Sequence, residues 1–589
     1  MTGFKEEYEK WINGEAFDSQ TKAELKNIKD EKEIEDRFYK NLSFGTGGLR
    51  GVIGAGTNRM NIYTVGKASQ GLSDYINSAT ENGSVVIAYD SRRMSDKFAE
   101  ESALVFAANG IKAYLFDSLR PTPELSFAVR YLKTTAGVEI TASHNPPEYN
   151  GYKVYLSDGA QIIPPYDKLI IDKVNGITDF SSIKKIDKER AIKEGLLVKV
   201  GKETDDAYIA AVEKCVIDKE VIARYAKDIK IVYTPLNGTG KVPVLRVLKE
   251  LGFENVYTVK EQSEPDGNFP TLKYPNPEDP AAFDLALKLA REVKADIVLA
   301  TDPDADRLGV YSVTENGDYA AFNGNMSGLL LLEYELSRKK EKGLLPENPE
   351  NGAIVSTIVS TDAAKSVAKE YGVTHFEVLT GFKYIGEKIN VFEQAVKKNG
   401  GKFDAKKNAY EFLFGFEESY GCLIGTHARD KDAVVAVTAL AESAAYYKSK
   451  GLTLAGQMHK IYEKYGYYNE TLFTETMAGA DGAKKINAIA EKFRTEKIAS
   501  LGGEKVVAIR DYKYSVRKDA KGKETVLDLP ESNVIYFETE SGWCAVRPSG
   551  TEPKIKFYIG MKGKTAKEAE EKTKRTERDL RRVMNEDIK

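Results

Sequence analysis

Short runs of β-branched residues alternate with helical patterns along most of this chain, and this alternation limits the fold more than any other feature. The first runs are residues 84–90 (SVVIAYD), 111–116 (IKAYLF) and 137–142 (GVEITA). The stretch between the first two has helical periodicity and ends at Gly110. Strands that alternate with helices are typical of α/β domains with parallel or mixed sheets.

Two further series of the same kind follow, and then the pattern changes. The strand-like runs of the second series are residues 229–234, 255–259 and 296–302, and those of the third are residues 352–360, 374–380 and 411–416. From about residue 505, strand-like runs follow one another directly and end in a charged helix that starts at Lys564. Consecutive strands predict an antiparallel sheet in an α+β domain.

The predicted architecture is therefore three successive α/β domains with mixed sheets and a C-terminal α+β domain with an antiparallel sheet, around a central cleft. A chain of 589 residues is too long for a single core, which agrees with several domains. The predicted segments are domains at 1–205, 206–322 and 323–452, a helical connector at 453–500, and the last domain at 501–589.

Charge and cysteine content exclude several classes of protein. Lys and Arg total 86 against 89 Asp and Glu, so no overall positive charge attracts nucleic acid or an acidic membrane. The cysteines, Cys215, Cys422 and Cys544, are far apart and lack metal-binding spacing, which fits ordinary thiols in a reducing compartment. The charged N-terminus has no apolar segment typical of a signal peptide, and no run approaches the ~20 apolar residues of a membrane span. We therefore expect a cytoplasmic protein.

Four polar loops carry the chemistry, and the first is residues 141–155 (TASHNPPEYNGYKVY). It follows a strand, where α/β domains place ligand sites. Ser143 is a candidate nucleophile with His144 and Lys153 nearby, although for an isolated Ser-His pair a proline-stiffened turn is the favoured interpretation. The loop contains no G-x-S-x-G motif, so a hydrolase triad gains no support.

The second loop is residues 301–309 (TDPDADRLG), again after an apolar strand. Its alternating carboxylates, Asp302, Asp304 and Asp306, can converge on one hard cation. A calcium EF-hand is excluded because Arg307 and Val313 stand where that motif requires Gly and Glu. Three carboxylates leave coordination positions open for a substrate or phosphate oxygen.

The third and fourth loops have weaker individual signals. In residues 414–421 (FGFEESYG), Glu417 and Ser419 can bind vicinal sugar hydroxyls, or the stretch is a solvated acidic loop. In residues 547–558 (RPSGTEPKIKFY), an anion-binding concavity and a plain hairpin turn both satisfy the pattern. The candidate phosphate ligands of this loop are Arg547, Ser549, Gly550 and Thr551.

Together, the four loops resemble those of the α-D-phosphohexomutase superfamily, whose members carry a phosphoserine loop, a metal loop, a sugar loop and a phosphate loop in this order. The resemblance extends from FGTGGLRG at 44–51 to the end of the fourth loop. It is closest to the long bacterial-type branch of α-phosphoglucomutases and phosphopentomutases. One departure is Pro303, where the commoner metal loop has Gly. We expect this proline to stiffen the loop without removing a ligand.

The resemblance implies an isomerase of carbohydrate metabolism that interconverts α-D-glucose 1-phosphate and glucose 6-phosphate. Ser143 carries the phosphoryl group, and glucose 1,6-bisphosphate is the intermediate and activator. One Mg²⁺ per chain is bound by Ser143, Asp302, Asp304 and Asp306. Mannose and pentose phosphates remain alternative substrates for the same mechanism. A sugar-phosphate phosphatase and an inert binding protein are less favoured alternatives.

The resemblance also implies roles for the other loop residues. Lys153 and His144 are candidates for proton transfer, and Arg50 and Arg307 steady the transferring phosphoryl group. The fourth loop holds the phosphate that does not react, while Glu417 and Ser419 bind sugar hydroxyls. Further substrate-binding candidates are Gly381 and Lys383 in TGFKYIG, and Arg429 and Lys431 in THARDKDA.

Two glycine-rich stretches imitate nucleotide-binding motifs and are rejected. Residues 237–242 (NGTGKV) lack the first Gly of a P-loop and have Val242 where Ser or Thr is required. FGTGGLRG places Arg50 at the last Gly of a dinucleotide-binding frame. The expected partners are small sugar phosphates, with no nucleic acid or membrane, and the expected state is a monomer or homodimer.

Overall fold

The computed structural model describes residues 3–44, 47–477, 479–549 and 554–585. The chain forms two compact units, and each is described by itself below. The first unit comprises Met1–Val313, Gly386–Asn390 and Gly421–Ser449, and the second comprises Thr314–Ile385, Val391–Tyr420 and Lys450–Lys589.

The helices and strands are numbered in chain order. The α-helices are α1 (Gly3–Asn13), α2 (Ser19–Asn27), α3 (Glu31–Phe38), α4 (Ile62–Ala79), α5 (Ser95–Ala108), α6 (Thr122–Tyr131), α7 (Tyr166–Gly176), α8 (Lys188–Lys193), α9 (Lys202–Glu213), α10 (Lys219–Tyr225), α11 (Lys241–Glu250), α12 (Lys260–Ser263), α13 (Asp284–Val293), α14 (Gly324–Glu341), α15 (Ala363–Tyr371), α16 (Phe382–Lys398), α17 (Ala433–Ser449), α18 (Leu454–Tyr465), α19 (Gly479–Thr495) and α20 (Ala566–Asn585). The strands are β1 (Gly48–Val52), β2 (Ser84–Tyr89), β3 (Lys112–Phe116), β4 (Ala136–Ile140), β5 (Tyr149–Leu156), β6 (Leu197–Val200), β7 (Lys230–Thr234), β8 (Asn255–Thr258), β9 (Ile297–Thr301), β10 (Leu308–Val313), β11 (Tyr319–Phe322), β12 (Gly352–Thr357), β13 (Thr374–Val378), β14 (Glu411–Glu417), β15 (Gly421–Ile424), β16 (Tyr467–Thr476), β17 (Ser500–Leu501), β18 (Glu504–Asp511), β19 (Val516–Asp519), β20 (Glu524–Val526), β21 (Ile535–Thr539), β22 (Gly542–Pro548) and β23 (Lys554–Gly563).

The first sheet of the first unit is mixed, with strand order β1-β5-β4-β2-β3-β6. Strands β4, β2, β3 and β6 are parallel, whereas β5 runs antiparallel to both β4 and β1. The proline-containing loop that holds Ser143 is therefore the connection from β4 to β5. Its position places Ser143 at the carboxyl end of a central strand.

Helices cover both faces of this sheet, which explains the nearly continuous apolar runs of its strands. Val85 and Ile87 of β2 pack in one cluster with residues of α4 and α5. Val86 and Ala88 point to the opposite face and pack with residues of α6.

The second sheet of the first unit contains β10, β9, β7 and β8 in that order. Strands β9, β7 and β8 are parallel, and β10 runs antiparallel to β9. Every residue of β9 is buried. The three aspartates of the second loop lie in the short connection from β9 to β10, again at the carboxyl end of a parallel strand.

The second unit contains the third α/β sheet and the C-terminal sheet. Strand β12 pairs in parallel with both β13 and β14. The C-terminal strands are antiparallel, in the order β16-β23-β22-β21-β18-β19-β20, with β17 paired to β18. Helices α19 and α20 pack on one face of this sheet, against residues such as Phe537 and Phe557. The predicted fold class, with mixed α/β sheets followed by an antiparallel α+β sheet, is confirmed.

The segment 453–500 differs from the helical connector that the sequence predicted. Between α18 and α19 it contains strand β16, which pairs with β23 along all ten of its residues. From Thr471 to Thr476, half-buried and exposed residues alternate with the period of two that a half-covered strand requires. Phe473 stacks on Phe557 of β23, with ring centroids 4.5 Å apart.

None of the helices in the described ranges combines the length and the apolar content that crossing a bilayer requires.

Candidate active site

Ser143 lies at the tip of the connection from β4 to β5 and faces the aspartate loop. Its backbone is left-handed (φ 50°), and its N–H donates to Thr141 Oγ1 at 2.7 Å. The side chain is buried, and Oγ donates to Asp302 Oδ2 at 2.7 Å. His144 Nδ1 lies 3.1 Å from the same Oγ. The first two loops singled out in the sequence therefore meet at a single hydroxyl.

Arg92, for which the sequence pattern predicts no role, holds the backbone of this loop through hydrogen bonds. Its buried guanidinium donates to the backbone carbonyls of Pro146 (2.8 Å) and Tyr149 (3.1 Å), and also to those of Ser143 and Asn145. Four carbonyl oxygens of one loop therefore share a single cation.

The charge of Arg92 is balanced by Asp90, whose Oδ2 lies 3.4 Å from Arg92 Nε. Burial lowers the pKa of Arg92 to about 10, although Asp90 opposes that change, so the guanidinium stays protonated at neutral pH. Both residues follow β2 directly, and β2 pairs in parallel with β4. Polar residues at the carboxyl end of a neighbouring strand were the signal that could have identified Arg92.

The carboxylates of Asp302, Asp304 and Asp306 form a buried cluster in which one oxygen of each lies within 4.8 Å of the others. Asp302 Oδ1 accepts the backbone N–H groups of Asp306 (3.1 Å) and Arg307 (3.0 Å). Oδ1 of Asp304 and Oδ1 of Asp306 accept no hydrogen bond from the described part of the chain. Buried carboxylate oxygens that lack a donor fit a hard divalent cation, so the cluster can bind a metal ion.

The stretch rejected as a P-loop holds the aspartate loop in place. Thr239 donates to the carbonyl oxygen of Pro303 through both its backbone N–H (2.8 Å) and its hydroxyl (2.9 Å). A Cβ added to Gly238 would lie 2.4 Å from Pro303 Cα, so only glycine permits this approach. Residues 237–242 therefore serve the site by supporting its backbone, a role that the motif search could not detect.

Two lysines and one threonine surround the aspartates. Lys153 Nζ lies 2.7 Å from Asp304 Oδ2 and 3.3 Å from Asp306 Oδ2. Lys431 Nζ lies 2.9 Å from Asp306 Oδ2. Thr122 Oγ1, from the first turn of α6, donates to Asp304 Oδ2 at 2.9 Å. The two lysines offset much of the negative charge that would otherwise oppose burial of the cluster.

Burial and these neighbours shift the pKa values of the carboxylates and of Lys153. Burial raises the pKa of Asp302 well above its ordinary range, and the charges of Asp304 and Asp306 raise it further. Burial also acts to raise the pKa of Asp304, but Lys153 outweighs it and holds that pKa far below the ordinary value. The pKa of Lys153 is raised, because attraction by Asp304 and Asp306 exceeds the lowering effect of burial.

Shifts in pKa also distinguish the two candidates for proton transfer, His144 and Lys153. Burial lowers the pKa of His144 well below its ordinary value, and the cations Arg307 and Arg50 act in the same direction. A neutral imidazole next to Ser143 Oγ can accept its proton. In the arrangement observed, Lys153 holds its own proton because it is paired with two carboxylates.

The remaining predicted residues of the first unit differ in how closely they approach this cluster. Arg50 Nη1 donates to Asn145 Oδ1 in the Ser143 loop at 3.1 Å, and Arg307 forms an ion pair with Glu278. Arg429 is buried and donates to the carbonyls of Thr426 (2.5 Å) and Ala428 (2.8 Å). These contacts of Arg429 stabilise its own loop, which also carries Lys431.

In the second unit, the third and fourth loops singled out in the sequence come together. Glu417 is buried at the end of β14, and its neighbour Glu418 accepts a hydrogen bond from Thr357 Oγ1 at 2.9 Å. Burial raises the pKa of Glu418, and the positive charges of Arg547 and Lys556 oppose that change. The sequence pattern predicts a role for Glu417 and Ser419, the two neighbours of Glu418, but not for Glu418 itself.

The fourth loop connects the antiparallel strands β22 and β23. Arg547 on β22 stands opposite Lys556 on β23, and Ser549 N donates to Lys554 O at 2.8 Å. Gly550 and Thr551 lie outside the described residues. Of the other candidates in this unit, Gly381 precedes α16 with φ 120°, Lys383 Nζ lies 5.1 Å from the ring centroid of Tyr384, and Ser419 is half-buried.

Comparison with known protein families covers most of the chain. The four matching descriptions are "Phosphoglucomutase/phosphomannomutase, alpha/beta/alpha domain I" at residues 41–180, domain II at 206–316, domain III at 323–465, and the C-terminal domain of the same family at 483–577. Their order along the chain is the order of the four loops.

Similar proteins give the same result. A phosphoglucomutase of Staphylococcus saprophyticus is 38% identical over 90% of this chain and 92% of its own length. One of Staphylococcus aureus is 39% identical over the same shares of the two chains.

Two solved structures share the fold. The Burkholderia thailandensis phosphoglucomutase/phosphomannomutase family protein is 19% identical (TM-score 0.63), and covers 92% of this chain and 96% of its own. Paramecium pp63/parafusin in an open form is 17% identical (TM-score 0.65), with shares of 93% and 95%. The relatives, the four domain matches and the motifs together show that this chain belongs to the phosphoglucomutase/phosphomannomutase family.

Proposed function

We propose that this chain is a phosphoglucomutase, an isomerase that interconverts α-D-glucose 1-phosphate and glucose 6-phosphate. In this proposal Ser143 carries a phosphoryl group and transfers it to the free hydroxyl of the substrate. The resulting glucose 1,6-bisphosphate turns around and returns its other phosphate to Ser143. The relatives named phosphoglucomutase, with identities of 38% and 39% over 90% of the chain, support glucose as the sugar.

The observation that carries the proposal is the contact between Ser143 Oγ and Asp302 Oδ2 at 2.7 Å, within a cluster of three buried aspartates. A phosphoryl group on this oxygen would lie beside the cluster, where its charge requires cations. Lys153 and Lys431 contact the same carboxylates, and Arg50 contacts the same loop as Ser143. This combination of nucleophile, carboxylates and cations fits phosphoryl transfer.

We assign one Mg²⁺ to the aspartate cluster, with Asp302, Asp304, Asp306 and an oxygen on Ser143 as its ligands. Mg²⁺ takes oxygen ligands and, when bound, draws negative charge from phosphoryl oxygens. The buried Oδ1 atoms of Asp304 and Asp306, which accept no hydrogen bond from the described residues, are the observation that supports this assignment.

The chain's own residues position the hydroxyl and receive its proton. Arg92 holds the backbone carbonyls of Ser143 and of Asn145, which follows it in the loop, so the Oγ atom keeps its direction toward Asp302. His144 Nδ1, at 3.1 Å, accepts the proton of Ser143 Oγ when the hydroxyl is the attacking group. Lys153, which holds its proton beside Asp304 and Asp306, is the candidate to donate a proton to the sugar oxygen when the phosphoryl group leaves that oxygen, and Arg307 steadies the transferring group.

The second unit supplies the remaining binding groups in this proposal. Arg547 and Ser549, together with Gly550 and Thr551, bind the phosphate that does not react. Glu417 and Ser419 bind sugar hydroxyls, with Gly381 and Lys383 as further substrate-binding residues. Arg429 and Lys431, which belong to the first unit, are also substrate-binding residues in this proposal. The clustering of Arg547 with Glu418 supports a polar binding surface at this place. The partners are small sugar phosphates, and the chain acts as a monomer or homodimer.

The test compares glucose 1-phosphate, mannose 1-phosphate and ribose 1-phosphate, each with its activating bisphosphate. We expect the highest kcat/KM for glucose 1-phosphate, and release of free phosphate far slower than isomerisation. A higher kcat/KM for mannose or ribose 1-phosphate would move the assignment to phosphomannomutase or phosphopentomutase. Phosphate release equal to isomerisation would identify a phosphatase.

A further inference from the structure

A thiol, an imidazole and a carboxylate lie in line in the first unit, in contacts that the proposed mechanism does not use. Cys215 Sγ is 3.9 Å from His427 Nδ1, and His427 Nε2 is 2.7 Å from Asp432 Oδ2. Cys215 lies between α9 and α10, whereas His427 and Asp432 belong to the loop that precedes α17. Cys215 is half-buried, and the side chains of His427 and Asp432 are 6% and 0% exposed.

Asp432 is fixed so that one of its oxygens faces His427. Its Oδ1 accepts the backbone N–H groups of Val434 (2.8 Å) and Val435 (3.1 Å), and also the hydroxyl of Tyr208 at 2.9 Å. The other oxygen, Oδ2, is left for the imidazole. This contact orients the ring so that Nδ1 points to the sulfur.

The surroundings of His427 favour the protonated form of its imidazole. Burial by itself lowers the pKa of His427, but the hydrogen bond to Asp432 and the neighbouring sulfur of Cys215 raise it to about 9. His427 can therefore present an N–H group and a positive charge to Cys215. A cationic imidazole beside a thiol stabilises the thiolate, which is the nucleophilic form of cysteine.

We propose that Cys215 is a reactive thiol and the site at which this protein is modified by low-molecular-weight disulfides. The assignment rests on the line of three side chains. The other two cysteines, Cys422 and Cys544, are buried, and burial raises the pKa of Cys544 far above its ordinary value.

The reaction is an exchange between a thiol and a disulfide. The sulfur of Cys215 attacks one sulfur of the small disulfide, a new S–S bond forms to Cys215, and the original S–S bond breaks. The thiol proton of Cys215 ends on the released small thiol. Cys215 is oxidised and half of the reagent is reduced, so no further oxidant is needed.

One loop contacts both Cys215 and the aspartate cluster, so modification of the thiol can affect the cluster. A Cβ added to Gly425 (φ 77°) would lie 2.8 Å from Cys215 Sγ, so the sulfur packs directly against the backbone of the loop. Six residues later in the same loop, Lys431 contacts Asp306. We therefore expect a group attached to Cys215 to press against Gly425 and to shift the loop that carries Lys431. This consequence rests on the proposed function, whereas the reactivity of the thiol does not.

The test treats the full-length protein with bis(2-hydroxyethyl) disulfide at neutral pH and follows each cysteine by peptide mass. We expect Cys215 to react first, and faster than N-acetylcysteine in the same solution although it is half-buried. His427→Asn should slow this reaction about tenfold by removing the positive charge. Cys215→Ser should leave the protein unlabelled over the same period.

Three results would overturn the proposal: prior reaction of Cys422 or Cys544, reaction of Cys215 no faster than N-acetylcysteine in the wild type, and an unchanged rate in His427→Asn. The comparison with N-acetylcysteine uses only wild-type protein, so a folding defect in the variant does not affect it.

Activity measurements test the coupling to the aspartate cluster. Labelled wild-type protein should lose turnover of glucose 1-phosphate and recover it with dithiothreitol, while Cys215→Ser keeps its turnover in the same reagent. Full activity of the labelled protein would refute the coupling. Absence of turnover in unlabelled protein would refute the proposed function and leave the mass result standing.

Discussion

Arg92→Met removes the buried cation that supports the loop around Ser143. The guanidinium donates to four backbone carbonyls of that loop and lies 3.4 Å from Asp90 Oδ2, so the substitution leaves buried acceptors and a buried carboxylate without their partner. Breaking a buried ion pair by removing one member costs about 3–5 kcal/mol. We expect the free energy of unfolding of the first unit to fall by that amount.

The effect of Arg92→Met on catalysis follows from the position of Ser143. Its Oγ lies 2.7 Å from Asp302 Oδ2, and a displacement of about 1 Å in a reacting group costs about 100-fold in rate. We expect kcat/KM for glucose 1-phosphate to fall by about 100-fold. Formation of glucose 6-phosphate, followed with a coupled dehydrogenase, measures this change. Unfolding in urea measures the stability separately.

Arg93→Met is the matched control, because Arg93 is exposed and donates to one carbonyl of the same loop, that of Pro147, at 3.1 Å. Exposed substitutions usually change stability by less than about 0.5 kcal/mol, so we expect less than about a threefold change in kcat/KM. Equal losses in the two variants, or wild-type activity in Arg92→Met, would refute the positioning role of Arg92.

Three further results are expected. Arg547→Ala should lower kcat/KM for glucose 1-phosphate by about 10–150-fold and increase the need for added glucose 1,6-bisphosphate, with little change in thermal stability. Unchanged kinetics would show that Arg547 does not bind the phosphate that does not react. Excess chelator should abolish turnover, and Mg²⁺ should restore it far better than Ca²⁺, which prefers longer bonds and more ligands; full activity in chelator would remove the metal role of the aspartates. The raised pKa of His427 contributes stability that is present below the unfolded value of about 6.5 and is lost as the pH rises through about 9. The difference in urea midpoint between wild type and His427→Asn should therefore narrow from about pH 6 to about pH 10, and a constant difference would contradict the ion pair with Asp432.

The sequence was sufficient to predict the parts of the fold and site that depend on local pattern. The apolar run of β2 predicts a strand that is buried on both faces, and the helical periodicity of α5 predicts a helix with one buried face. Ser143 and Asp302 were identified for a similar reason, since each follows a strand in a short polar loop. The order of the four loops then indicated the family.

Contacts between distant parts of the chain could not be predicted in this way. Arg92 acts on residues more than 50 positions away, and Thr239 holds Pro303 from 64 positions away. In the linear sequence, Arg92 looks like a surface cation, and the stretch around Thr239 looks like a failed nucleotide motif. The contact of Cys215 with His427 spans 212 positions, so the cysteine count alone suggested an ordinary thiol.

Strand β16 was missed for a related reason. One face of this strand is only partly covered by other residues, so its alternation of apolar and polar residues is weak. The helices before and after it in the sequence have a stronger periodicity. Its assignment depends on pairing with β23, which lies nearly 90 positions further along the chain. Likewise Glu418 became visible only through its proximity to Arg547 in the second unit.

The phosphorylation state of Ser143 tests the account most directly. After incubation with glucose 1,6-bisphosphate, intact mass and peptide mapping should find one phosphoryl group on Ser143. During turnover of glucose 1-phosphate that carries a labelled phosphate, the label should appear on Ser143. Ser143→Ala should lose several orders of magnitude in turnover, whereas the exposed control Ser157→Ala should behave as wild type. A phosphoryl group found only on another residue, or turnover retained in Ser143→Ala, would contradict the account.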